Sequence, residues 1–540
     1  MPDDMEISGQ QTGRDIGRHD AAAADGRVHA SIRVPHLALE VLPVVAFFAV
    51  LTAVRFAILA SGAVELSGDE AHYWEWSRRL DWCYYSKPPG VACLIWMGKL
   101  LFGDTELGVR FMAPVLSLLS SLVLYHLGKR LYDRKTGLAA ALLLQVMPLF
   151  SAFGMGMTPD SPLIFFWLLS LYFLHRAWSG GTASDWLLLA VSLGLGLLSK
   201  YAIIFLYIPA ILLLVTTAQG RQRLRTVWPY LCLVLSFAFF APVLFWNSQH
   251  GWVMFRHDLG HVRVARGWTF SPLTALDFLG GQLAVVTPIL AVLMIYLLIR
   301  RRREDPFSFW LTIPILAGFF VKSLQGRVNA NWPLIAWLAA IPPMAAFLVH
   351  RYHALTVNQK RWVSAGLIIP VVATLFLYLL AALSFPWPQG TLTLHLPFRT
   401  LNVSWPHNPA DKLIGWRQLG NEVSQLTKEM DGPLFILSDS YMTASELAFY
   451  VEGRPTTYCA NLGRRMNQYD IWPGFDGLQG YDAIFVTAKS VTHPDLIAAF
   501  ERLEANPIDI RDRFGHVVKT FSVYRCYGFK GWTKKAPTHY

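Results

Sequence analysis

Charged residues are scarce in this chain of 540 residues. They make up 15% of it, whereas 54% is hydrophobic and the mean hydropathy is +0.36. Soluble globular proteins usually carry about 25% charged residues. The shortage of charge excludes an ordinary soluble protein. Apolar runs of roughly 18 residues or more instead predict helices that cross a membrane.

Cysteine is also rare. The five cysteines form no CxxC pair, which argues against a zinc or redox motif. Cys459 and Cys526 both fall in the C-terminal part, where a disulfide between them stays open. No short apolar core opens the chain, so the sequence predicts no cleavable signal peptide. We interpret residues 1–36 as a disordered cytoplasmic tail.

The net charge of +11 and the isoelectric point near 9.4 could indicate nucleic acid as a partner. In a membrane protein they have a simpler cause, because basic residues collect in cytoplasmic loops and face anionic lipids. We therefore expect membrane lipids and no nucleic acid among the partners.

Eleven apolar runs predict spanning helices, and the expected fold class is a polytopic α-helical membrane protein with about 11–13 transmembrane helices. The runs cover residues 37–60, 108–128, 137–156, 160–177, 185–199, 201–217, 228–246, 273–299, 307–322, 331–349 and 362–384. Together they define an expected transmembrane domain of residues 37–384. The fifth and sixth runs are short and could form a broken or re-entrant hairpin. A shorter apolar stretch, residues 91–102, is expected to lie in the membrane interface.

The loops favour one orientation. Residues 129–135, 221–225, 300–305 and 351–361 are strongly basic and alternate with loops that contain acidic and aromatic residues. Because basic loops stay inside, the N-terminus is expected in the cytoplasm and the acidic loops outside.

Residues 385–540 differ in character and are expected to form a small extracytoplasmic α/β domain. Short apolar runs bounded by Gly, Pro and Asp predict strands. They are residues 433–439, 446–453, 482–488 and 516–526, and residues 494–506 predict a helix.

The first outer loop contains adjacent carboxylates, Asp69 and Glu70, followed by aromatic residues. An aromatic belt at the membrane surface would explain Tyr73, Trp74 and Tyr85, but it does not require an acidic pair. A carboxylate at this position could remove a proton from a hydroxyl nucleophile. The aromatic side chains are alternative candidates for binding an acceptor or a sugar.

Two further outer segments carry candidate residues. Lys87 stands in a rigid SKPPG turn and could hold a phosphate, or it could simply extend towards the membrane surface. Asp160 begins a predicted helix after Thr158 and Pro159. It could favour the helix dipole, or it could supply a second carboxylate to the same cavity.

More cations lie in the other outer loops and could stabilise a phosphate leaving group. They are Lys200, Arg256, Arg263, Lys322 and Arg327, with Asn331 nearby as a candidate for sugar binding. His257 and His261 have a spacing that suits a metal on a helix. Without a clear third ligand, the better interpretation is that they are surface histidines.

With its DE pair, KPPG turn and TPD helix start, the stretch of residues 67–349 resembles the bacterial polyprenyl-phosphate-dependent glycosyltransferases of the GT-C fold. That superfamily includes the dolichyl-phosphate-mannose protein mannosyltransferases and the transferases that add aminoarabinose or galacturonic acid to lipid A. The C-terminal stretch of residues 441–474 resembles the exported domain of one bacterial branch. The aminoarabinose branch commonly has an acidic residue before the lysine, whereas Ser86 stands here. The first loop is closer to transferases that add uronic acid or other sugars to lipid A or lipopolysaccharide core.

The resemblance implies roles for single residues. Asp69 would be the catalytic carboxylate, Glu70 its neighbour that positions a substrate, and Asp160 a second acidic residue of the cavity. Lys87 would contact the donor phosphate. The donor would be a polyprenyl phosphate sugar, typically undecaprenyl, and no cofactor is certain, although a divalent metal stays open.

We therefore expect an inverting glycosyltransferase of the bacterial inner membrane. It would move a sugar to lipid A or lipopolysaccharide core, with its C-terminal domain in the periplasm. A protein acceptor is the alternative within the same family. A lipid or sugar transporter is the rival from another class. A transporter usually binds substrate near the membrane midplane, whereas the ionisable residues here collect at one surface.

Overall fold

The computed structural model describes residues 36–262, 270–383, 391–396, 399–404, 412–489, 493–512 and 515–532. The expected tail of residues 1–36 lies almost wholly outside this part of the chain. Residues 48–540 form one compact unit, while the start of the first helix belongs to a separate unit, residues 1–47.

Helices dominate the first 383 residues. The first ten are α1 (His36–Ala60), α2 (Gly68–Arg78), α3 (Gly90–Phe102), α4 (Glu106–Arg110), α5 (Met112–Leu131), α6 (Arg134–Val146), α7 (Pro148–Phe153), α8 (Asp160–Trp178), α9 (Ala183–Ser199) and α10 (Tyr207–Thr216). The next ten are α11 (Ala218–Arg223), α12 (Trp228–Ala238), α13 (Ala241–Gln249), α14 (Val253–Val262), α15 (Pro272–Val286), α16 (Pro288–Arg300), α17 (Pro306–Ser323), α18 (Leu334–Trp337), α19 (Ile341–Arg351) and α20 (Val357–Leu383).

Every predicted apolar run coincides with helix, and the protein is a multi-pass membrane protein. Six helical segments in the described residues are long and apolar enough to cross a membrane, or seven if the bent pair α15–α16 is one span. The expected interfacial stretch forms α3. The predicted fifth and sixth runs form α9, a 3₁₀ turn at Tyr201–Leu206 and the short α10.

Proline explains where two predicted spans break. The run at residues 137–156 divides at Met147, which is extended because Pro148 follows it. The run at residues 273–299 bends by 97° between α15 and α16. There Thr287 has a φ of 76° and Pro288 begins α16. A positive φ is uncommon for a β-branched residue, so the bend stores backbone strain.

A buried arginine joins several of these helices. Arg55 of α1 is 1% exposed and donates hydrogen bonds to Tyr378, Ser117, Gln145 and Ser151 at 2.7–3.0 Å. These partners lie on α20, α5, α6 and α7. A charged group inside a membrane is costly unless its donors are satisfied, so this network fixes how the five helices pack.

The C-terminal part folds around a mixed five-stranded sheet in the order β4-β3-β5-β7-β6. β3 pairs in parallel with β4 and β5, and β7 pairs antiparallel with β5 and β6. A separate hairpin pairs β1 with β2. The elements are β1 (Thr391–Leu396), β2 (Arg399–Ser404), α21 (Trp416–Glu429), β3 (Leu434–Ser438), α22 (Tyr441–Tyr450), β4 (Thr457–Cys459), β5 (Asp482–Thr487), α23 (Pro494–Ala499), β6 (Phe500–Arg511) and β7 (Val517–Phe529).

Two local predictions in this domain were wrong. Residues 446–453 were expected to be a strand, but Glu446–Tyr450 belongs to α22. Ala448 and Phe449 of this helix pack into the core that α2 shares, while Leu447 packs against the sheet. Residues 494–506 were expected to be one helix, but it ends at Ala499. From Phe500 the chain pairs with β7 along its whole length, and this pairing outweighs local helix propensity.

The C-terminal domain shares a hydrophobic core with the segment predicted to be the first outer loop. Phe449 of α22 packs edge-on against the buried Trp74 of α2, with ring centroids 4.9 Å apart. The two helices approach so closely that a Cβ on Gly68 would lie 2.5 Å from the Cβ of Met442. The sheet domain is therefore packed directly on the helix that carries the DE pair.

Candidate active site

The DE pair lies at the start of α2, where a capping box fixes the first turn. The Ser67 side chain accepts from the Glu70 backbone amide, and the Glu70 carboxylate accepts from the Ser67 amide. This geometry turns the two neighbouring carboxylates in different directions. Glu70 is 3% exposed, whereas Asp69 is exposed.

Glu70 is fully engaged by the protein. Its carboxylate accepts two hydrogen bonds from the Arg110 guanidinium, at 2.8 and 2.7 Å, and one from the Met157 amide at 2.9 Å. Burial by itself would raise the pKa of Glu70, but Arg110 and the backbone amides outweigh it and hold the pKa below its usual value. Glu70 thereby ties α2 to α4 and to the segment before α8.

Asp69 faces the C-terminal domain. Its Oδ1 accepts a hydrogen bond from the Tyr441 hydroxyl at 2.9 Å. Burial and the charge of Asp69 raise the pKa of Tyr441, so the phenol keeps its proton and acts as a donor. Tyr441 is 372 residues away in sequence, and the sequence analysis did not identify it.

Asp160, Lys200 and Asn331 meet at the start of α8. The Lys200 ammonium donates to Asp160 Oδ1 at 2.7 Å, and the Asn331 amide donates to Oδ2 at 3.3 Å. Both Asp160 and Lys200 are largely buried. These three residues come from separate predicted outer loops, and the structure brings them into direct contact.

Lys87 lies beside this group. Its ammonium donates to the Ser86 carbonyl at 2.8 Å and stands 5.6 Å from the centre of the Tyr201 ring. Burial lowers the pKa of Lys87 to about 8, although three carboxylates oppose the shift. These are Asp258, Asp160 and Asp69. Lys87 is therefore a poorly hydrated cation, and a lysine of this kind can hold a phosphate as a point charge.

Tyr73 connects the two halves of the site. Burial and the charge of Asp69 raise its pKa well above the usual value, and Asp160 adds to the shift. Since the charges of both carboxylates act on Tyr73, Asp69 and the Asp160–Lys200 pair lie near the same phenol.

Loops from the helical part and from the C-terminal domain also meet close to Lys87. The Tyr85 amide donates to Gln468 at 2.6 Å, and the Tyr85 ring meets His257 edge-on at 4.8 Å. The Tyr85 hydroxyl is buried and has no hydrogen-bond partner among the described residues. Arg465 of the C-terminal domain lies near these residues, because its positive charge acts on Tyr85, His257 and Tyr441.

Asp258 is another residue that the sequence analysis did not select. It accepts from the Tyr201 hydroxyl at 2.5 Å and contacts His257 at 3.2 Å. His257 is 4% exposed, so its prediction as a surface histidine was wrong. The sequence signal that could have identified Asp258 was the charged triplet Arg256-His257-Asp258 in a predicted outer loop.

The other residues that the sequence suggested for substrate or metal binding do not join this group of side chains in the described part of the chain. Trp74 is completely buried and donates to Asp104 at 2.7 Å, so its ring faces the protein core. Arg256 is exposed on α14 and Arg327 is exposed after α17, while Lys322 contacts Gln325 near the end of α17. Arg263 and the side chain of His261 lie outside the described residues.

The structure also bears on the two open questions of a metal site and of a disulfide between Cys459 and Cys526. Within the described residues, no three His, Cys, Asp or Glu side chains gather as metal ligands. Cys459 on β4 and Cys526 on β7 are both free and buried. Strands β3 and β5 separate them, and strands lie about 4.8 Å apart, so the two thiols cannot bond.

Comparison with known proteins agrees with this architecture. Residues 86–246 match the family model described as dolichyl-phosphate-mannose-protein mannosyltransferase. The structure is similar to that of apo ArnT from Cupriavidus metallidurans, with a TM-score of 0.60 and 14% identity over 91% of this chain and 98% of ArnT. The chain has the GT-C fold. The ArnT structure with bound undecaprenyl phosphate gives the same TM-score at 16% identity, covering 90% of this chain and 98% of ArnT.

The chain is also similar in sequence to proteins of known activity. It is 30% identical to the lipid A galacturonosyltransferase RgtD of Rhizobium johnstonii over 305 residues, which are 53% of this chain and 61% of RgtD. It is 34% identical over 151 residues to the undecaprenyl phosphate-alpha-4-amino-4-deoxy-L-arabinose arabinosyl transferase of Pseudomonas aeruginosa, covering 26% of each chain. These matches confirm the resemblance drawn from the outer-loop motifs. The chain thus spans about three fifths of the length of one relative and a quarter of the other.

Proposed function

We propose that this protein is an inverting glycosyltransferase that moves a sugar from a polyprenyl phosphate to an acceptor hydroxyl outside the cytoplasm. The observation that supports it is the separation of charge among neighbouring side chains. An exposed carboxylate, Asp69, stands on one side, and the cations Lys87 and Lys200 stand with Asp160 on the other. A base and a phosphate-binding cluster are the two parts that such a transfer needs.

In the proposed reaction, Asp69 accepts the proton of the acceptor hydroxyl as its oxygen attacks the anomeric carbon. The bond between that carbon and the phosphate oxygen breaks, and the electron pair leaves with the lipid phosphate. Lys87 stabilises the charge that develops on this phosphate. No covalent enzyme intermediate forms, by analogy with inverting hydrolysis, so the anomeric configuration inverts.

The other predicted residues support this reaction in different ways. Tyr441 orients Asp69, and the Asp160–Lys200 pair orders the phosphate side with Asn331. Glu70 acts as a positioning residue, because its oxygens are already occupied by Arg110 and backbone amides. Tyr73 and Tyr85 remain candidates for contact with a sugar.

We propose lipid A or lipopolysaccharide core as the acceptor and a polyprenyl phosphate sugar as the donor. Two observations support this choice. RgtD, named as a lipid A galacturonosyltransferase, aligns over more of this chain than the arabinosyl transferase does. The residue before Lys87 is the neutral Ser86. A uronic acid is therefore our first choice for the transferred sugar.

We further propose residues 37–384 as the transmembrane catalytic domain and residues 385–540 as a periplasmic domain of an inner-membrane protein. The basic loops at residues 129–135, 221–225 and 300–305 support a cytoplasmic N-terminus. The contact of Tyr441 with Asp69 supports placing the C-terminal domain and the active site on the same side of the membrane.

Mass spectrometry of lipid extracts tests the function. Cells that contain the protein should carry an envelope glycolipid heavier by one uronate or hexose than cells without it. Asp69→Asn should abolish this addition, because the amide cannot accept the proton. Asp431→Asn, an exposed change in the C-terminal domain, should leave it intact. Unchanged transfer by Asp69→Asn, at equal protein levels, would refute the proposed mechanism.

A further inference from the structure

A cavity of about 260 Å³ lies in the C-terminal domain, apart from the proposed transfer site. Its walls carry an unusual share of aromatic side chains. They are Tyr458, Tyr469, Trp472, Phe475 and Trp532. The rings also pack on each other: Tyr469 meets Trp472 at 5.3 Å and Phe475 meets Trp532 at 5.8 Å between centroids. The aromatic walls are thereby held in a fixed arrangement.

We propose that this cavity, which we call the aromatic pocket, binds an uncharged sugar ring of the acceptor glycan. The inference rests on the proposed function and adds where the acceptor is recognised. The volume lies slightly below the roughly 300 Å³ at which drug-sized pockets begin, so it suits one sugar ring and not a lipid chain.

The chemistry of the walls matches a sugar. The C–H groups on the flatter face of a pyranose carry partial positive charge, and aromatic ring faces are negative, so the two stack favourably. Polar groups among the rings can bind the hydroxyls at the edge of the sugar. Asn461, Asp470 and Asp476 belong to the lining, and Asn461 and Asp470 also accept hydrogen bonds from the protein. Carboxylate and amide oxygens accept hydrogen bonds from hydroxyl groups.

The charges favour an uncharged ring over a phosphate. Asp470 is held by Arg464 through two contacts at 2.8 and 3.0 Å, so this arginine is already engaged by a carboxylate. Asp476 adds a second acidic group to the lining. Among the described residues the lining contains these acids and no lysine or arginine, so it suits a neutral sugar better than a phosphate or uronate.

The pocket is also connected to the transfer site. Tyr469 stacks on His72 of α2 with centroids 5.6 Å apart, and His72 contacts the Tyr441 ring at 4.7 Å. Asp69 and His72 are three residues apart, so they lie on the same face of α2. Two aromatic contacts therefore separate the pocket wall from the residue that holds Asp69.

Saturation-transfer NMR on the full-length protein in nanodiscs tests the inference without any transfer reaction. The probe is water-soluble core oligosaccharide released from lipopolysaccharide by mild acid. The wild-type protein and Asp69→Asn should bind it equally. Trp532→Leu and Asp476→Asn should each weaken binding tenfold or more, because one loses the stacking ring and the other a charged acceptor.

Tyr481→Leu is the matched control, since Tyr481 is an exposed aromatic residue of the same domain that does not line the pocket. It should bind as the wild type does. Equal binding by Trp532→Leu, Asp476→Asn and wild type would overturn the inference, as would the absence of binding by the wild type. Failure of Asp69→Asn to lose transfer, with these binding results intact, would instead overturn the proposed function alone.

Discussion

Adjacent residues of one motif have different environments in this protein. Asp69 and Glu70 both carry a carboxylate, yet one is exposed beside Tyr441 and the other is buried against Arg110. The cause is helical geometry, because neighbours on a helix differ by about 100° in direction. The carboxylate that can meet a substrate is therefore the one that faces away from the core.

The lowered pKa of Lys87 predicts a pH dependence. With a pKa of about 8, Lys87 is protonated below that pH and loses its charge as the pH rises through it. The kcat/KM for the donor should therefore fall from about pH 7 to about pH 9, because an uncharged amine holds phosphate weakly. Lys87→Arg should give a flatter profile, since arginine keeps its charge. A flat wild-type profile would contradict this assignment.

Removal of the Tyr441 hydroxyl should impair transfer and leave folding intact. Tyr441→Phe loses one hydrogen bond to a carboxylate, so kcat/KM should fall roughly tenfold. The matched control is Tyr527→Phe, whose hydroxyl donates to Glu504 at 3.1 Å on the same domain. Steady-state transfer and thermal melting are measured for both variants. Equal activity in the two would show that Tyr441 does not orient the base.

At the scale of elements, α2 and α22 form the central contact. α2 carries Asp69, and α22 carries Tyr441, so the distance between the helices sets the hydrogen bond between them. Gly68 allows this approach, because any side chain there would enter Met442. The paired helices, and not either one alone, therefore define the position of the carboxylate.

Gly68→Ala should disturb this contact. The added Cβ would lie 2.5 Å from the Met442 Cβ and 3.2 Å from its Cα, so the helices must separate. We expect a loss of about 1–3 kcal/mol in stability and a reduced transfer rate. Gly318→Ala on α17 is the control, because a Cβ there would meet no heavy atom within 4 Å. It should change neither the stability nor the transfer rate. Similar melting temperatures and rates for the two variants would show that the approach is less tight than the structure indicates.

At the scale of the whole molecule, orientation in the membrane decides whether the site can reach an envelope acceptor. The basic loops favour a cytoplasmic position for one side, and the proposed site lies with the C-terminal domain. A single cysteine in each region can report its side. Position 497 is exposed in the C-terminal domain, and position 302 is exposed in a basic loop.

Labelling of intact cells stripped of their outer membrane tests this orientation. In a Cys93→Ser background, Ile497→Cys should react with a membrane-impermeant maleimide, while Arg302→Cys should react only after lysis. Cys93 is replaced because it is the exposed native thiol among the described residues. The reverse pattern of labelling would place the proposed site in the cytoplasm and exclude a periplasmic acceptor.

The sequence by itself determined where apolar helices form and which segments carry the candidate chemistry. Apolar runs, basic loops and the DE, KPPG and TPD motifs are local signals, and each depends on neighbouring residues only. They were sufficient for the helices and for Asp69, Lys87 and Asp160 as candidates. They also predicted a small C-terminal domain, although they failed where strand pairing with β7 converted residues 500–506 from predicted helix to strand.

Only the tertiary structure decided which of these residues meet. Tyr441 reaches Asp69 across 372 residues, and Lys200 and Asn331 reach Asp160 across 40 and 171 residues. The aromatic pocket likewise forms only when Trp532 packs beside Phe475. Contacts between distant segments arise from packing of whole elements, which no local pattern encodes. The physical reason is that a motif specifies the chemistry of a side chain, while its partner depends on how the entire core assembles.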